Sequence, residues 1–103
     1  MVTAMPAAVV NHLRFREAPD PDLFARAEEE VVPQARNIEG FRGLHVVQVA
    51  PDHFILIITG DNPEVLNQVA MEVGSPWMTT HVVPLLASPP ERHVGPLVAT
   101  SDS

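Results

Sequence analysis

A predicted β-hairpin, LHVVQVAPDHFILIIT, occupies the centre of the sequence from Leu44 to Thr59. Its two apolar runs, 44–49 and 53–59, are rich in β-branched residues, which is typical of strands. The connection Pro51-Asp52 is too short for a helix, so the second strand must return antiparallel to the first. Apolar residues occupy both faces of this second strand, which predicts a central strand that is buried on both sides.

On the N-terminal side of the hairpin, the sequence predicts one strand and one helix. Residues 9–16 alternate with the two-residue period of a strand, and one face carries Val9, Asn11, Leu13 and Phe15. In Asp20-Pro21-Asp22, Asp20 is expected to cap the helix and Pro21 to take its first position. Apolar residues then recur at three- and four-residue spacing, and Pro33 should kink or end this helix.

On the C-terminal side, the sequence predicts a broken helix and a last strand. Asn62-Pro63 is typical of a helix start, and the apolar stripe continues to about Val73. Gly74-Ser75-Pro76 is expected to end this helix and to begin another. One side of that second piece carries Trp77, His81 and Leu85. The last predicted strand runs from Arg92 to Thr100, where Gly95-Pro96 favours an edge strand or a bulge.

The order of these elements predicts the fold class. Strand, helix, strand, strand, broken helix and strand make an α+β, ferredoxin-like βαββαβ fold with a four-stranded antiparallel sheet. We expect one domain over residues 1–103, with an N-terminal arm at 1–7 and a C-terminal tail at 101–103. The helices cover one face of the sheet only, although apolar residues lie on both. We therefore expect a homodimer that packs sheet against sheet.

Composition excludes several classes of protein. The sequence contains thirteen acidic residues, six arginines and no lysine. The resulting net charge of −7 argues against nucleic acids and anionic membrane surfaces as partners. The absence of Cys excludes disulfides, thiolate nucleophiles and Cys-ligated zinc, and it fits the cytoplasm as the expected location. The five histidines lack the spacing of a metal motif, so no metal site is expected. The longest apolar run without proline, residues 54–58, is too short to span a membrane.

Three further features carry a resemblance to a known family. The second strand opens with Glu39-Gly40-Phe41-Arg42-Gly43, Trp77 lies in the second helical region, and the chain ends with the segment Pro89-Pro90-Glu91-Arg92-His93-Val94-Gly95-Pro96-Leu97-Val98-Ala99. In these features and in its element order, the sequence resembles the antibiotic biosynthesis monooxygenase-like family of the dimeric α+β barrel superfamily. Members of this superfamily include oxygenases that act on aromatic polyketides without a cofactor, haem-degrading proteins, and small proteins of unassigned activity.

The resemblance also implies a site. In the oxygenase and haem-degrading branches, an Asn on the first strand and a Trp on the second helical segment line a pocket between sheet and helices. Asn11 and Trp77 match these positions. The haem-degrading branch uses a His at a longer interval after the Trp, and here His81 follows Trp77 by four residues. The polyketide branch uses a Tyr, and this sequence contains none.

His81, Asn11 and Trp77 are therefore the predicted catalytic residues, each with a structural alternative. The Asn11 amide would orient a ligand carbonyl or dioxygen, or it would bond to helix backbone. Trp77 would stack on a planar ligand, or it would anchor the core. His81 would act as a base or ligate haem iron, or it would be a surface residue.

Leu13, Phe15, His45 and Arg92 are the predicted ligand-binding residues. Leu13 and Phe15 would hold a flat apolar molecule. His45 would point into the same pocket or into the dimer interface. Arg92 would clamp a carboxylate or enolate, or it would form a surface ion pair with Glu91 or with a carboxylate across the dimer.

These residues leave three functions open. The first is an oxygenase without a cofactor, in which His81 or His45 assists deprotonation of a flat apolar substrate and the carbanion passes an electron to dioxygen. The second is a non-catalytic dimer that binds a hydrophobic ligand or serves as a scaffold, which the missing Tyr and the short Trp–His interval favour. The third is haem binding or degradation through His81.

Overall fold

A computed structural model describes residues 5–100 of the chain. Its elements are β1 (Ala7–Arg14), α1 (Asp22–Glu30), α2 (Val32–Ala35), β2 (Phe41–Ala50), β3 (His53–Gly60), α3 (Pro63–Val69), a π-helical segment (Ala70–Gly74), α4 (Ser75–His81), a 3₁₀ turn (Val83–Leu85) and β4 (Glu91–Pro96). The predicted tail at 101–103 lies outside the described residues, as does most of the predicted arm, of which Ala7 belongs to β1.

The four strands form one antiparallel sheet in the order β2-β3-β1-β4. This order is that of the ferredoxin-like fold, so the predicted fold class is confirmed. The strand β3 lies between two neighbours and β4 lies at an edge, as the sequence indicates. Residues Asp52 and Pro51 form the tight turn between β2 and β3, and the β3 boundary at His53 is confirmed.

Two strand boundaries differ from the prediction. The first strand begins at Ala7 and ends at Arg14, and Phe15 forms only an isolated bridge to Leu86. The last strand ends at Pro96 instead of continuing to Thr100. It ends there because its partner β1 begins at Ala7. Directly beyond that pair, the Leu97 N–H donates to the Pro6 carbonyl at 2.8 Å.

The helix starts follow the capping residues. The Asn62 side chain accepts a hydrogen bond from the Val65 N–H at 2.9 Å, so the predicted cap of α3 is confirmed. The Asp20 carboxylate accepts from the Asp22 N–H at 2.9 Å, but α1 begins at Asp22, one residue later than predicted. Pro33 lies in the short α2, directly after the break that separates it from α1.

The predicted helix stop at Gly74 and the new cap at Ser75 are wrong. Gly74 has helical angles (φ −68°, ψ −52°), so it does not end the helix. The backbone widens instead, and the Ser75 N–H bonds to the Ala70 carbonyl five residues back. The proline ring of Pro76 would clash with a carbonyl in a regular α-turn, and the wider π-turn relieves this crowding. A single continuous helix, with a π-helical turn in its middle, therefore runs from α3 to α4.

Gly40 sets the entry into β2. Its φ of +94° is a left-handed conformation that favours glycine. A Cβ atom at this position would also lie 2.7 Å from Val65 Cγ2, which leaves no room for a side chain. Gly40 thus allows the close approach of α3 to the start of β2.

The two faces of the sheet have different surroundings. Alternation and register place one set of side chains under the helices, where the main core includes Ala7, Val9, Ile58, Leu66 and Val69. The opposite set includes Val10, Ile55, Ile57 and Val47, and no helix among residues 5–100 packs on it. We call these the helix-covered face and the helix-free face. The predicted one-sided arrangement of the helices is confirmed.

Candidate functional site

A small apolar chamber lies between the helix-covered face and the helices. Its volume is about 40 Å³, and its walls include Leu13, Phe24, Leu56, Trp77 and Met78. A water molecule requires about 10–15 Å³ by this measure, so the chamber has room for about three. The chamber therefore cannot accept an aromatic ring system unless its walls move.

A larger groove lies beside the chamber and shares part of its wall. Its volume is about 300 Å³. The sheet contributes Val9, Asn11, Leu56, Ile58 and Arg92, and the helical region contributes Leu66, Ala70, Gly74, Ser75, Met78, Thr79 and Val83. We call it the Asn11–Arg92 groove. Its walls are mainly apolar, and its few polar groups are the ones that could fix the orientation of a ligand.

Asn11 lines this groove and carries an unsatisfied acceptor. Its side-chain Oδ1 is buried and has no hydrogen-bond partner among residues 5–100. The alternative in which the amide bonds to helix backbone is therefore not realised. A buried polar atom without a partner costs about 1–3 kcal/mol, and a ligand hydroxyl that donates to Oδ1 would remove this cost.

Arg92 supplies the positive charge of the groove. It is the register partner of Asn11 across β1 and β4, so the two side chains lie on the same face. Its guanidinium makes no ion pair or hydrogen bond within the described residues. The predicted pairing with Glu91 does not occur there, because Glu91 faces Arg14 at 3.9 Å. Among residues 5–100, no Asp or Glu lines the groove, so the charge of Arg92 is available to an anion.

Trp77 is a half-buried residue that lines the chamber. It packs against both hydrophobic clusters of the protein, and its indole Nε1 donates to Glu30 Oε2 at 3.3 Å. The His81 ring lies on the indole, with ring centroids 4.8 Å apart. His81 lines neither the chamber nor the groove. The structure therefore separates Asn11 from Trp77 and His81, which the sequence interpretation placed in one pocket.

Met78 is part of the wall between the two cavities. Met78, Leu56, Ile58 and Gly74 line both the chamber and the groove. Methionine has a flexible unbranched side chain, so rotation of Met78 is the simplest way to join the two spaces. Sequence reasoning missed Met78 and its neighbour Thr79, because their positions follow from the π-helical segment.

The remaining predicted ligand-binding residues lie in different places. Leu13 lines the chamber. Phe15 lines neither cavity and packs edge-on against Phe54, with ring centroids 5.6 Å apart. His45 is the register partner of Ile57 and therefore belongs to the helix-free face, which leaves the interface as the remaining alternative for this residue.

Three histidines meet on the helix-free face. His12 Nδ1 and His53 Nε2 are 3.1 Å apart, and the His12 and His93 ring centroids are 6.3 Å apart. We call these residues the histidine cluster. No group of three potential ligands within residues 5–100 is arranged to hold a metal ion. The strand register that brings the three together is not visible in the sequence.

The structure offers a poor fit to haem. His81, the predicted axial ligand, packs its ring on Trp77 and lines neither cavity. The chamber next to Trp77 has a volume of only about 40 Å³. We therefore derive no chemistry through haem for this chain.

Solved structures share this fold. A protein of unknown function from Nitrosomonas europaea, NE2512, is 19% identical, with coverage of 96% of this chain and 95% of that chain and a TM-score of 0.77. SnoaB, a cofactor-independent oxygenase from Streptomyces nogalater, is 15% identical, with coverage of 97% and 100% and a TM-score of 0.72. A second Nitrosomonas europaea protein, provisionally named an antibiotic biosynthesis monooxygenase, is 14% identical, with coverage of 95% and 94% and a TM-score of 0.68.

The chain therefore has the fold of antibiotic biosynthesis monooxygenase-like proteins, as the sequence resemblance implies. No protein-family model matches the sequence, and no curated protein matches it. Within residues 5–100, every helix is too short or too polar to cross a lipid bilayer.

Proposed function

We propose that this chain is a homodimeric oxygenase that acts, without a cofactor, on a hydroxylated aromatic molecule bound in the Asn11–Arg92 groove. The observation that carries this proposal is the position of Asn11, a residue that lines a cavity of about 300 Å³ and whose buried Oδ1 has no partner among residues 5–100. A phenolic hydroxyl donates the hydrogen bond that this atom lacks. The likeness in fold to SnoaB supports the reaction class.

The proposed chemistry needs only the substrate and dioxygen. The hydroxyl loses its proton to solvent, and the positive charge of Arg92 stabilises the resulting phenolate. The phenolate passes one electron to dioxygen, and the two radicals combine to form a C–O bond para to the hydroxyl. Loss of water from this hydroperoxide gives a quinone. One oxygen atom enters the ring, the other leaves as water, and the substrate supplies all four electrons.

The residues of the chamber have a positioning role in this proposal. Trp77 lines the chamber together with Met78, and Met78 also lines the groove. The Trp77 ring fixes the position of α4 against the sheet. His81 stacks on Trp77 outside both cavities, so it contacts no substrate in this scheme. Orientation by the groove, rather than a protein base, then supplies most of the rate enhancement.

Oxygen uptake with 1-naphthol tests the proposal. We expect one dioxygen consumed for each 1,4-naphthoquinone formed, and an activity at least about tenfold lower in Asn11→Leu, because a lost hydrogen bond is worth about 1.4 kcal/mol or more when it orients a substrate. Asn37→Leu, at an exposed position away from the groove, is the matched control and should keep full activity. Full activity in Asn11→Leu, or no uptake with the unaltered protein, would contradict the proposal.

A non-catalytic ligand-binding dimer is the second candidate. Within the part of the chain that the structure describes, Arg92 is the only titratable side chain that lines the groove, and no general base lines it. Tight binding of 1-naphthol without oxygen uptake would select this candidate. A haem titration without a Soret shift would dismiss the haem alternative at the same time.

We further propose that the helix-free face is the dimer interface of a cytoplasmic, single-domain protein. Val47 on this face is 46% exposed, and Val10, Ile55 and Ile57 on the same face are half-buried. A second copy packed sheet against sheet would remove this apolar surface from water. Sedimentation of a dimer at micromolar concentration is the expected result.

A further inference from the structure

We infer that the apolar chamber is a binding site for dioxygen, which is held there beside the substrate groove until it reacts. This inference rests on the proposed oxygenase function, and it gives the second substrate of that reaction a site of its own in the fold. Three observations carry it: the small size of the chamber, its apolar walls, and the wall that it shares with the Asn11–Arg92 groove.

The walls of the chamber offer no hydrogen bond to a guest molecule. Among residues 5–100, every side chain that lines the chamber is apolar apart from the indole N–H of Trp77, which donates to Glu30 at 3.3 Å. A buried water molecule needs about two to four polar partners, so the chamber disfavours water although about three molecules would fit. An apolar guest gives up no hydrogen bond on entry and gains dispersion contacts with the walls.

The size of the chamber selects the class of apolar guest. A volume of about 40 Å³ has room for a diatomic gas, whereas an aromatic ring requires a larger cavity. Dioxygen is the apolar diatomic molecule that the proposed reaction consumes. The chamber therefore suits the small substrate, and the groove of about 300 Å³ suits the large one.

The chamber lies next to the place where the aromatic substrate would react. Leu56 is the register partner of Asn11 on the neighbouring strand β3, and it lines both the chamber and the groove. Met78 also lines both, and its flexible side chain can rotate to join them. A guest in the chamber is thus separated from a substrate at Asn11 by the side chains of the shared wall.

The chamber suits dioxygen itself and not its reduced form. One-electron transfer from the phenolate produces superoxide, and an anion without a partner is strongly disfavoured in apolar surroundings. Arg92 lines the groove and does not line the chamber. Electron transfer therefore follows the movement of dioxygen into the groove. There the guanidinium balances one negative charge, which is on the phenolate before the transfer and on superoxide after it.

Methyl NMR spectroscopy under dioxygen tests the site directly, because dioxygen is paramagnetic and speeds the relaxation of protons that it contacts. Leu13 lines the chamber, whereas Leu86 is also buried but lines neither the chamber nor the groove. When dioxygen replaces nitrogen above the sample, we expect a several-fold larger increase in relaxation rate at the Leu13 methyl groups than at those of Leu86.

Filling the chamber tests its role in turnover of 1-naphthol. Ala27 lines the chamber and not the groove, so Ala27→Leu should remove the relaxation difference. It should also raise the KM for dioxygen about tenfold, while kcat at saturating dioxygen and the anaerobic affinity for 1-naphthol stay unchanged. Ala25→Leu makes the same substitution at an exposed position of α1 and should change none of these values. Val46→Ile fills the chamber less, from β2, and should give intermediate values if Ala27→Leu does not fold.

Equal relaxation of the Leu13 and Leu86 methyl groups under dioxygen would overturn the inference. A KM for dioxygen that is unchanged in a folded chamber-filling variant, in which the relaxation difference is lost, would overturn it as well. Failure of the oxygenase proposal gives a different pattern, because the chamber would then still bind dioxygen and 1-naphthol would cause no oxygen uptake.

Discussion

The helix-covered and helix-free faces of the sheet carry similar apolar residues but bury them to different extents. On the covered face, Leu13 and Val9 are 1% and 3% exposed. On the helix-free face, Val47 is 46% exposed, although its neighbours are also apolar. The two faces therefore differ in role. The helix-covered face stabilises the subunit and forms its cavities, whereas the helix-free face has apolar surface available for a partner.

The largest expected effect is on the covered face. Leu13→Ala should lower the free energy of unfolding by about 2–5 kcal/mol, since it leaves a cavity in a fully buried site. Urea unfolding measures this change, which should not depend on protein concentration. Val10→Ala, on the same strand but on the helix-free face, is the control. Its loss of unfolding free energy should grow with protein concentration, as the proposed dimer forms. Equal, concentration-independent losses for both variants would remove the distinction between the faces.

A charge on the free face should break the proposed dimer. Val47→Asp would bury a carboxylate without a partner between two subunits, which costs about 3 kcal/mol or more and corresponds to a dissociation constant at least about 100-fold higher. Sedimentation equilibrium measures the constant. Met71→Asp places the same charge at another exposed apolar residue, on the side with the helices, and should leave the dimer intact. A Val47→Asp dimer of normal affinity would exclude this face as the interface.

The side chain of Asn11, on the helix-covered face, should lower the stability of the protein, because its buried oxygen has no partner among residues 5–100. Asn11→Leu replaces an unpartnered buried oxygen with apolar atoms of similar volume, so the free energy of unfolding should rise by about 1–2 kcal/mol while ligand binding weakens. Thermal unfolding in the absence of ligand measures the change. A destabilised Asn11→Leu protein would show that the amide has a structural partner in solution.

Much of the fold could be predicted because its signals are local. The turn at Pro51-Asp52, the cap at Asn62 and the alternation of residues 9–15 each depend on neighbours in the sequence. They suffice for the element order, and a four-stranded antiparallel sheet follows from that order. The extent of β4 could not be predicted, because it depends on where its partner strand begins.

The candidate site was less predictable because it depends on the relative positions of distant elements. Asn11 and Trp77 were both identified as site residues, yet they line different cavities. Gly74 has the composition of a helix stop but adopts helical angles, and this one difference changes the direction of every side chain in α4. Likewise, the contact of His12 with His53 depends on register, which a single sequence does not reveal.

The length of the π-helical segment from Ala70 to Gly74 sets the direction in which the side chains of α4 point around the helix axis. Each residue of an α-helix turns the chain by about 100°, so a deletion of one residue within the segment would swing Trp77 and Met78 around the helix axis by that angle. A single inserted or deleted codon therefore reassigns which side chains face each cavity. Descendants of a common ancestor could differ in chemistry through this change in length alone, with every wall residue conserved in type.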